Sequence, residues 1–190
     1  MKIAITGTTR GYGKAVANML SIKGHTVVPL NRQDGYDISS KQGRALIYDQ
    51  AINCDVVINN AWHDFDQETI FSELFDLVGK DTSKTIVNVN SRAGLGHVSG
   101  NMYFATKKQL KKKTTHSKFP GPRCRIINVY PGYIATPHIL KRNDQEGGVG
   151  SIMTLAEAAD ILVWALEKPQ HIEIAEIAFW AINKSDKTDK

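Results

Sequence analysis

Apolar runs of strand length alternate along most of this chain with longer stretches that carry apolar residues on one helical face. The runs lie at 2–6, 25–30, 55–59, 84–90, 124–129 and 172–182, and a rudimentary one at 35–38 makes seven. Between them, helices are predicted from Lys14 onward, from Ser39 as a cap to about 52, over 64–78, from near Asn101 and over 154–167, where Thr154 and Glu157 form a capping box. The segment 33–54 is too short for the two helices and a strand it would ordinarily hold, so one crossover helix is trimmed to a loop. Strands alternating with helices predict an α/β fold, a Rossmann-like doubly wound parallel sheet with helices on both faces. One domain spans 1–183, with a charged tail at 184–190 that frays.

The first run ends in a glycine-rich turn, Thr6-Gly7-Thr8-Thr9-Arg10-Gly11-Tyr12-Gly13, which opens directly into a helix. Glycines let backbone approach a phosphate where a Cβ would collide, and the new helix offers free N–H groups and the positive end of its dipole. The spacing is T-G-x-x-x-G-x-G, so the segment is either a dinucleotide cradle or a tight turn. The second strand ends at Asn31-Arg32 without a carboxylate to accept from a ribose 2′-hydroxyl. Arg32 and Arg10 suit a 2′-phosphate, through charge and their planar forks of donors, which favours NADP(H) over NAD(H). Each taken singly also reads as a surface charge.

The bulk numbers exclude more than they identify. A chain of 190 residues, 42% apolar, can bury a sizeable core, and no apolar run has the length of a membrane span or the layout of a signal peptide. A cytoplasmic protein without a membrane partner is expected. Cys54 and Cys124 adjoin apolar runs and read as free core thiols, and no metal-ligand spacing occurs. The net charge of +5 owes much to Lys107-Lys108 and Lys111-Lys112-Lys113. That cluster is a solvated helix face or a nucleic-acid footprint; the lack of stacking aromatics around it disfavours the second.

Candidate chemistry lies in Tyr103-Phe104-Ala105-Thr106-Lys107, a phenol and an ammonium on neighbouring turns of one helix face, with Ser91 at the C-terminal end of the preceding strand. The order of these motifs along the chain resembles the short-chain dehydrogenase/reductase family, classical type, in an unusually short member. The turn from Thr6 to Gly13, Asp37-Ile38, Asn59-Asn60-Ala61, Ser91, Tyr103 with Lys107, and Pro131-Gly132 followed by Thr136 stand in the family's sequence of motifs.

The resemblance implies hydride transfer between nicotinamide C4 and the carbon of a small carbonyl or alcohol substrate, with Tyr103 as acid/base. It implies that Lys107 lowers the phenol pKa and holds the nicotinamide ribose, and that Ser91 steadies the substrate oxygen. Gly7, Thr9, Arg10, Gly11, Tyr12 and Gly13 would hold the pyrophosphate side. Asn31, Arg32, Asp37 and Ile38 would meet the adenosine, Asn59, Asn60 and Ala61 would flank it, and Pro131, Gly132, Ile134 and Thr136 would fix the carboxamide. The 2′-phosphate preference points to a carbonyl reductase.

Three departures stand out. Trp62 replaces the glycine of N-N-A-G, as a packing aromatic or a wall of the substrate pocket. The following helix has no asparagine to support a proton-relay water. The lysines after Tyr103 would repel a symmetry mate across the family's main oligomer interface, so a monomer, or a homodimer through another surface, is expected. His63, His97 and His138 are placed on loops near the strand ends, and Gly132 to Met153 is expected to cover the substrate, with mobility from Gly147-Gly148-Val149-Gly150. A non-catalytic NADP(H) sensor on the same fold is the alternative function, and nucleic-acid binding the third.

Overall fold

The computed structural model describes residues 1–96, 101–115, 121–145 and 151–182. In chain order the elements are β1 (Lys2–Thr6), α1 (Gly11–Ile22), β2 (Thr26–Leu30), α2 (Lys41–Ala51), β3 (Val56–Asn59), α3 (Asp66–Val78) and β4 (Thr85–Val89). They continue as α4 (Met102–Thr114), β5 (Arg125–Pro131), α5 (Pro137–Gln145), α6 (Leu155–Leu166) and β6 (Glu176–Phe179). Short 3-10 turns follow β2 at Arg32–Asp34 and β4 at Arg92–Leu95. All strands pair in parallel, in the order β2-β1-β3-β4-β5-β6.

Alternation along each strand sends side chains to two separate cores. Ile3, Ile5, Val56, Ile58, Val87 and Val129 meet Val16 and Leu20 of α1 and Leu162 and Leu166 of α6. Ala4, Val57, Ile86 and Ile126 meet Ile47 of α2, Ile70, Phe71 and Leu74 of α3, and Leu110 of α4. Helices thus cover both faces. Cys54 and Cys124 are free and buried. Among the described residues, no helix is long and apolar enough to cross a membrane.

The third strand expected at 35–38 does not form, and among the described residues the sheet has six strands. Asp37 turns the chain instead: its Oδ1 accepts from the backbone N–H of Ser39 at 3.0 Å and from the Ser39 hydroxyl at 2.7 Å. With Ser39 engaged there, Ser40 caps α2, accepting from the Gly43 N–H at 2.9 Å. β2 is left as an edge, and Pro29 lies within it. The last strand is four residues long, shorter than the run 172–182, and β5 extends to Pro131. The capping box of Thr154 and Glu157 forms on α6 as expected.

Two buried polar systems tie the sheet together. Asn59, Asn88 and Asn128 occupy in-register positions on β3, β4 and β5. Asn59 Nδ2 donates to Asn88 Oδ1 at 3.2 Å, Asn88 Nδ2 donates to Asn128 Oδ1 at 3.1 Å, and Asn128 Nδ2 donates to the carbonyls of Thr114 and Ala175. At the opposite end of the sheet, buried Arg125 donates to Thr85 Oγ1 and to the carbonyls of Leu166 and Lys168 at the end of α6. A cation placed there satisfies orphan carbonyls and meets the negative end of the helix dipole.

Candidate active site

Thr6 ends β1, and its Oγ1 accepts the N–H groups of Asn60 and Ala61, each at 2.9 Å. Asn60 Nδ2 in return donates to the carbonyls of Thr6 and Gly7. The end of β3 is thereby locked to the start of the glycine turn. Gly7 and Gly11 have φ of +73° and +59°, which L side chains rarely adopt. A Cβ on Gly13 would lie 2.2 Å from the Gly7 carbonyl oxygen and 2.4 Å from Asn60 Nδ2. From the other side, Thr136 approaches Gly11. Asn31 braces the same turn: its Oδ1 accepts from the N–H and hydroxyl of Thr8, at 2.8 and 3.0 Å. The first turn of α1, preceded by exposed Arg10, contains no acidic residue.

Beside this cradle opens a pocket of 460 Å³, lined by Gly7 and Thr9, by Asn31, Arg32, Tyr36, Asp37 and Ile38 after β2, and by Ala61, Trp62 and His63 after β3. Arg32 Nε pairs with Asp37 Oδ2 at 2.9 Å. The bonds from Ser39 and then the Arg32 charge hold the Asp37 carboxyl below the usual carboxylate range. His63 Nδ1 lies 2.7 Å from Asp66 Oδ2, and that hydrogen bond raises the imidazole pKa.

Ser91 follows β4 and Tyr103 stands in the first turn of α4, which places the hydroxyl and the phenol together at the strand ends. Burial raises the Tyr103 pKa, and a hydrogen bond with Ser91 partly offsets it. The Trp62 ring meets Tyr103 edge-on, centroids 5.1 Å apart at 74°, and its Nε1 donates to Thr106 Oγ1 at 3.0 Å. One turn beyond Tyr103, Lys107 is 3% exposed, and its Nζ lies 5.6 Å from the Tyr103 ring centroid. The ammonium donates to Gln67 Oε1 at 2.6 Å and to the Val89 carbonyl at 3.0 Å. Burial pulls its pKa down to about 7.

Pro131 ends β5, and Gly132 is so close to Trp180 that a Cβ would lie 2.6 Å from Trp180 Cβ. Ile134 is buried and bridges to Met153. Two side chains expected at the cofactor are engaged inside the protein. Tyr12 is buried against α6, its hydroxyl donating to the Ala158 carbonyl, and only its backbone belongs to the helix start. Asn59 is fully buried in the asparagine ladder. His138 lies on α5 instead of a loop. His97 and Gly147-Gly148-Val149-Gly150 fall outside the described residues, as does the tail at 184–190.

No family model and no curated protein matches the chain by sequence. Solved structures match its shape. A protein described as a short chain dehydrogenase/reductase family protein aligns with a TM-score of 0.75 and 18% identity over 95% of each chain. The chain has the short-chain dehydrogenase/reductase fold. Serine dehydrogenase in a closed form complexed with NADP+ aligns at 0.72 and 17% over 94% of each chain. The 3-alpha-hydroxysteroid dehydrogenase from a Pseudomonas species, complexed with NADH, aligns at 0.72 and 18% over 95% of each.

Within this fold, the residue that sequence reading missed is Gln67. It projects from α3 at 2% exposure, and its Nε2 donates to the carbonyls of Asn59 and Val89, each at 2.8 Å. The available signal was a polar residue in line with the apolar stripe of Ile70, Phe71 and Leu74. Its contact with Lys107 joins positions 40 residues apart, which local spacing does not reveal.

Proposed function

We propose that this protein is an NADP(H)-dependent oxidoreductase that interconverts a carbonyl and an alcohol, working as a carbonyl reductase. The observation that carries the reading is the convergence of Ser91, Tyr103 and buried Lys107 at the strand ends, beside a glycine cradle and a nucleotide-sized pocket. The left-handed backbone of Gly7 and Gly11 ahead of α1 fits a pyrophosphate in the turn, and Gly13 lets the helix pack closely against it. The NADP+ and NADH held by the two structural neighbours support the same cofactor class.

When bound, the nicotinamide supplies or takes up a hydride at C4. Tyr103 gives its phenolic proton to the substrate oxygen during reduction and takes one back during oxidation. Ser91 turns its single hydroxyl hydrogen to that oxygen and stabilises the charge that develops there. Lys107, fixed on two oxygen acceptors, keeps positive potential near the phenol and directs its remaining N–H toward the ribose. Trp62, edge-on to Tyr103, forms one wall of the substrate site. Arg32 supports the NADP(H) preference: it is exposed at the pocket wall beside Asp37, and its guanidinium fork suits a 2′-phosphate. Lys108, Lys112 and Lys113 are exposed on α4, which supports a monomer or a dimer through another face.

The test is a titration of NADPH and NADH into the wild type and Arg32→Ala, followed by NADPH oxidation against a panel of aldehydes and ketones. NADPH should bind more tightly than NADH, Arg32→Ala should lose about tenfold in NADPH affinity (about 1.4 kcal/mol), and Tyr103→Phe should abolish turnover while retaining binding. Binding without turnover in the wild type would replace the enzyme with a nucleotide sensor, and no binding of either nucleotide would refute both.

A further inference from the structure

Lys107 lacks the partner that a buried cation ordinarily has. Among the described residues no carboxylate pairs with it; Asp66, next to Gln67 on α3, is engaged with His63 and Arg44. What faces the ammonium is the Gln67 amide from α3, the Val89 carbonyl from β4 and, as the titratable neighbour on its own helix, Tyr103. The 3-10 turn after β4 closes the other side, where Gly94 packs against the Lys107 backbone carbonyl and the Asn90 side chain.

The orientation of the Gln67 amide is fixed by its surroundings. Its Nε2 has two hydrogens, and both are taken by the carbonyls of Asn59 and Val89. Flipping the amide would set its oxygen against two carbonyl oxygens and its nitrogen against an ammonium. Oε1 must therefore point at Lys107. An amide oxygen accepts a hydrogen bond but is not protonated near neutral pH, so it can hold the ammonium without receiving its proton. A water at the same place would do both.

We infer that Gln67 is the positioning residue of this site: it anchors Lys107 directly, favours the charged form of that amine by accepting its proton in a hydrogen bond, and closes the α3 side of Lys107 to proton relay. The inference rests on the proposed function for its catalytic meaning, but the geometry and its test do not need the nucleotide. Two of the three ammonium protons are committed to protein oxygens, leaving one for the cofactor side. Proton exchange with solvent then runs from Tyr103 itself, not inward through Lys107.

The experiment follows the Lys107 Nζ or Cε resonance of isotopically labelled, cofactor-free protein from pH 5 to 10, assigned by its loss in Lys107→Met. In Gln67→Met the amine loses its strongest acceptor, and its midpoint should fall by about one pH unit relative to wild type, a tenfold change in protonation. In Gln67→Glu a carboxylate faces the ammonium, and the midpoint should rise by at least about one unit. Opposite movements establish the anchor. Midpoints within about 0.3 unit of wild type in both variants, or shifts in one direction, would overturn it, and Gln67→Glu alone decides if Gln67→Met does not fold. Because this measurement contains no nucleotide, failure to bind NADPH would sink the proposed function and leave the inference standing.

Discussion

A buried amine with two oxygen partners and no carboxylate sits near the balance between its charged and neutral forms, and Lys107 does so at about pH 7. Its folded-state pKa lies below the ordinary lysine value, so between about pH 7 and 10 the unfolded chain binds more protons than the native one, and stability rises with pH. Thermal melts of the cofactor-free protein should therefore show the wild type gaining on Lys107→Met from pH 7 to pH 9; parallel curves would mean that Lys107 stays charged when folded. Trp62 makes a different kind of contribution: its ring touches Tyr103, its indole N–H binds Thr106, and it lines the same pocket as Gly7 and Arg32. Trp62→Leu should raise KM for carbonyl substrates several-fold and weaken NADPH binding by a smaller factor, measured by steady-state kinetics beside a fluorescence titration. An equal loss of both would place the ring on the cofactor.

At the level of elements, α6 is held at both ends by side chains. The Thr154 and Glu157 capping box closes its start, and Arg125 reaches from β5 to the carbonyl of its last residue, Leu166, and to that of Lys168 just beyond. Arg125→Met leaves buried carbonyls without donors and should cost about 3 kcal/mol, a fall in melting temperature of about 6–12 °C for a chain of this size; a drop under 2 °C would show that water replaces the guanidinium. The two ends differ in how far sequence revealed them. A capping box is four residues wide and can be read directly, as can the strand–turn–helix around Gly7 and the one-turn spacing of Tyr103 and Lys107. Arg125 and Gln67 act across the fold, and their partners become neighbours only once the sheet has formed. The segment 35–38 misled for the opposite reason: Tyr36 and Ile38 have strand character, but the Asp37–Ser39 turn satisfies the local backbone. Ser40 then starts the helix that Ser39 would otherwise have capped.

Across the whole molecule, losing the expected outer strand makes β2 an edge, with unpaired backbone on its outer side. Pro29 blunts that edge because it has no N–H to offer. Pro29→Val should promote concentration-dependent association, visible as a growing particle mass in light scattering; a strictly monomeric variant would show that the neighbouring loop already covers the strand. The interior has its own safeguard in Asn59, Asn88 and Asn128. Each amide can meet the next only when β3, β4 and β5 align in one register, and a one-residue slip would turn the row toward the opposite, apolar core. The row thus works as an internal gauge for where the strands stop. Asn60, Ser91 and Pro131 each lie one to three residues beyond a gauge mark, so the distance from the glycine turn to the hydroxyls of Ser91 and Tyr103 is measured out in the core before any ligand arrives.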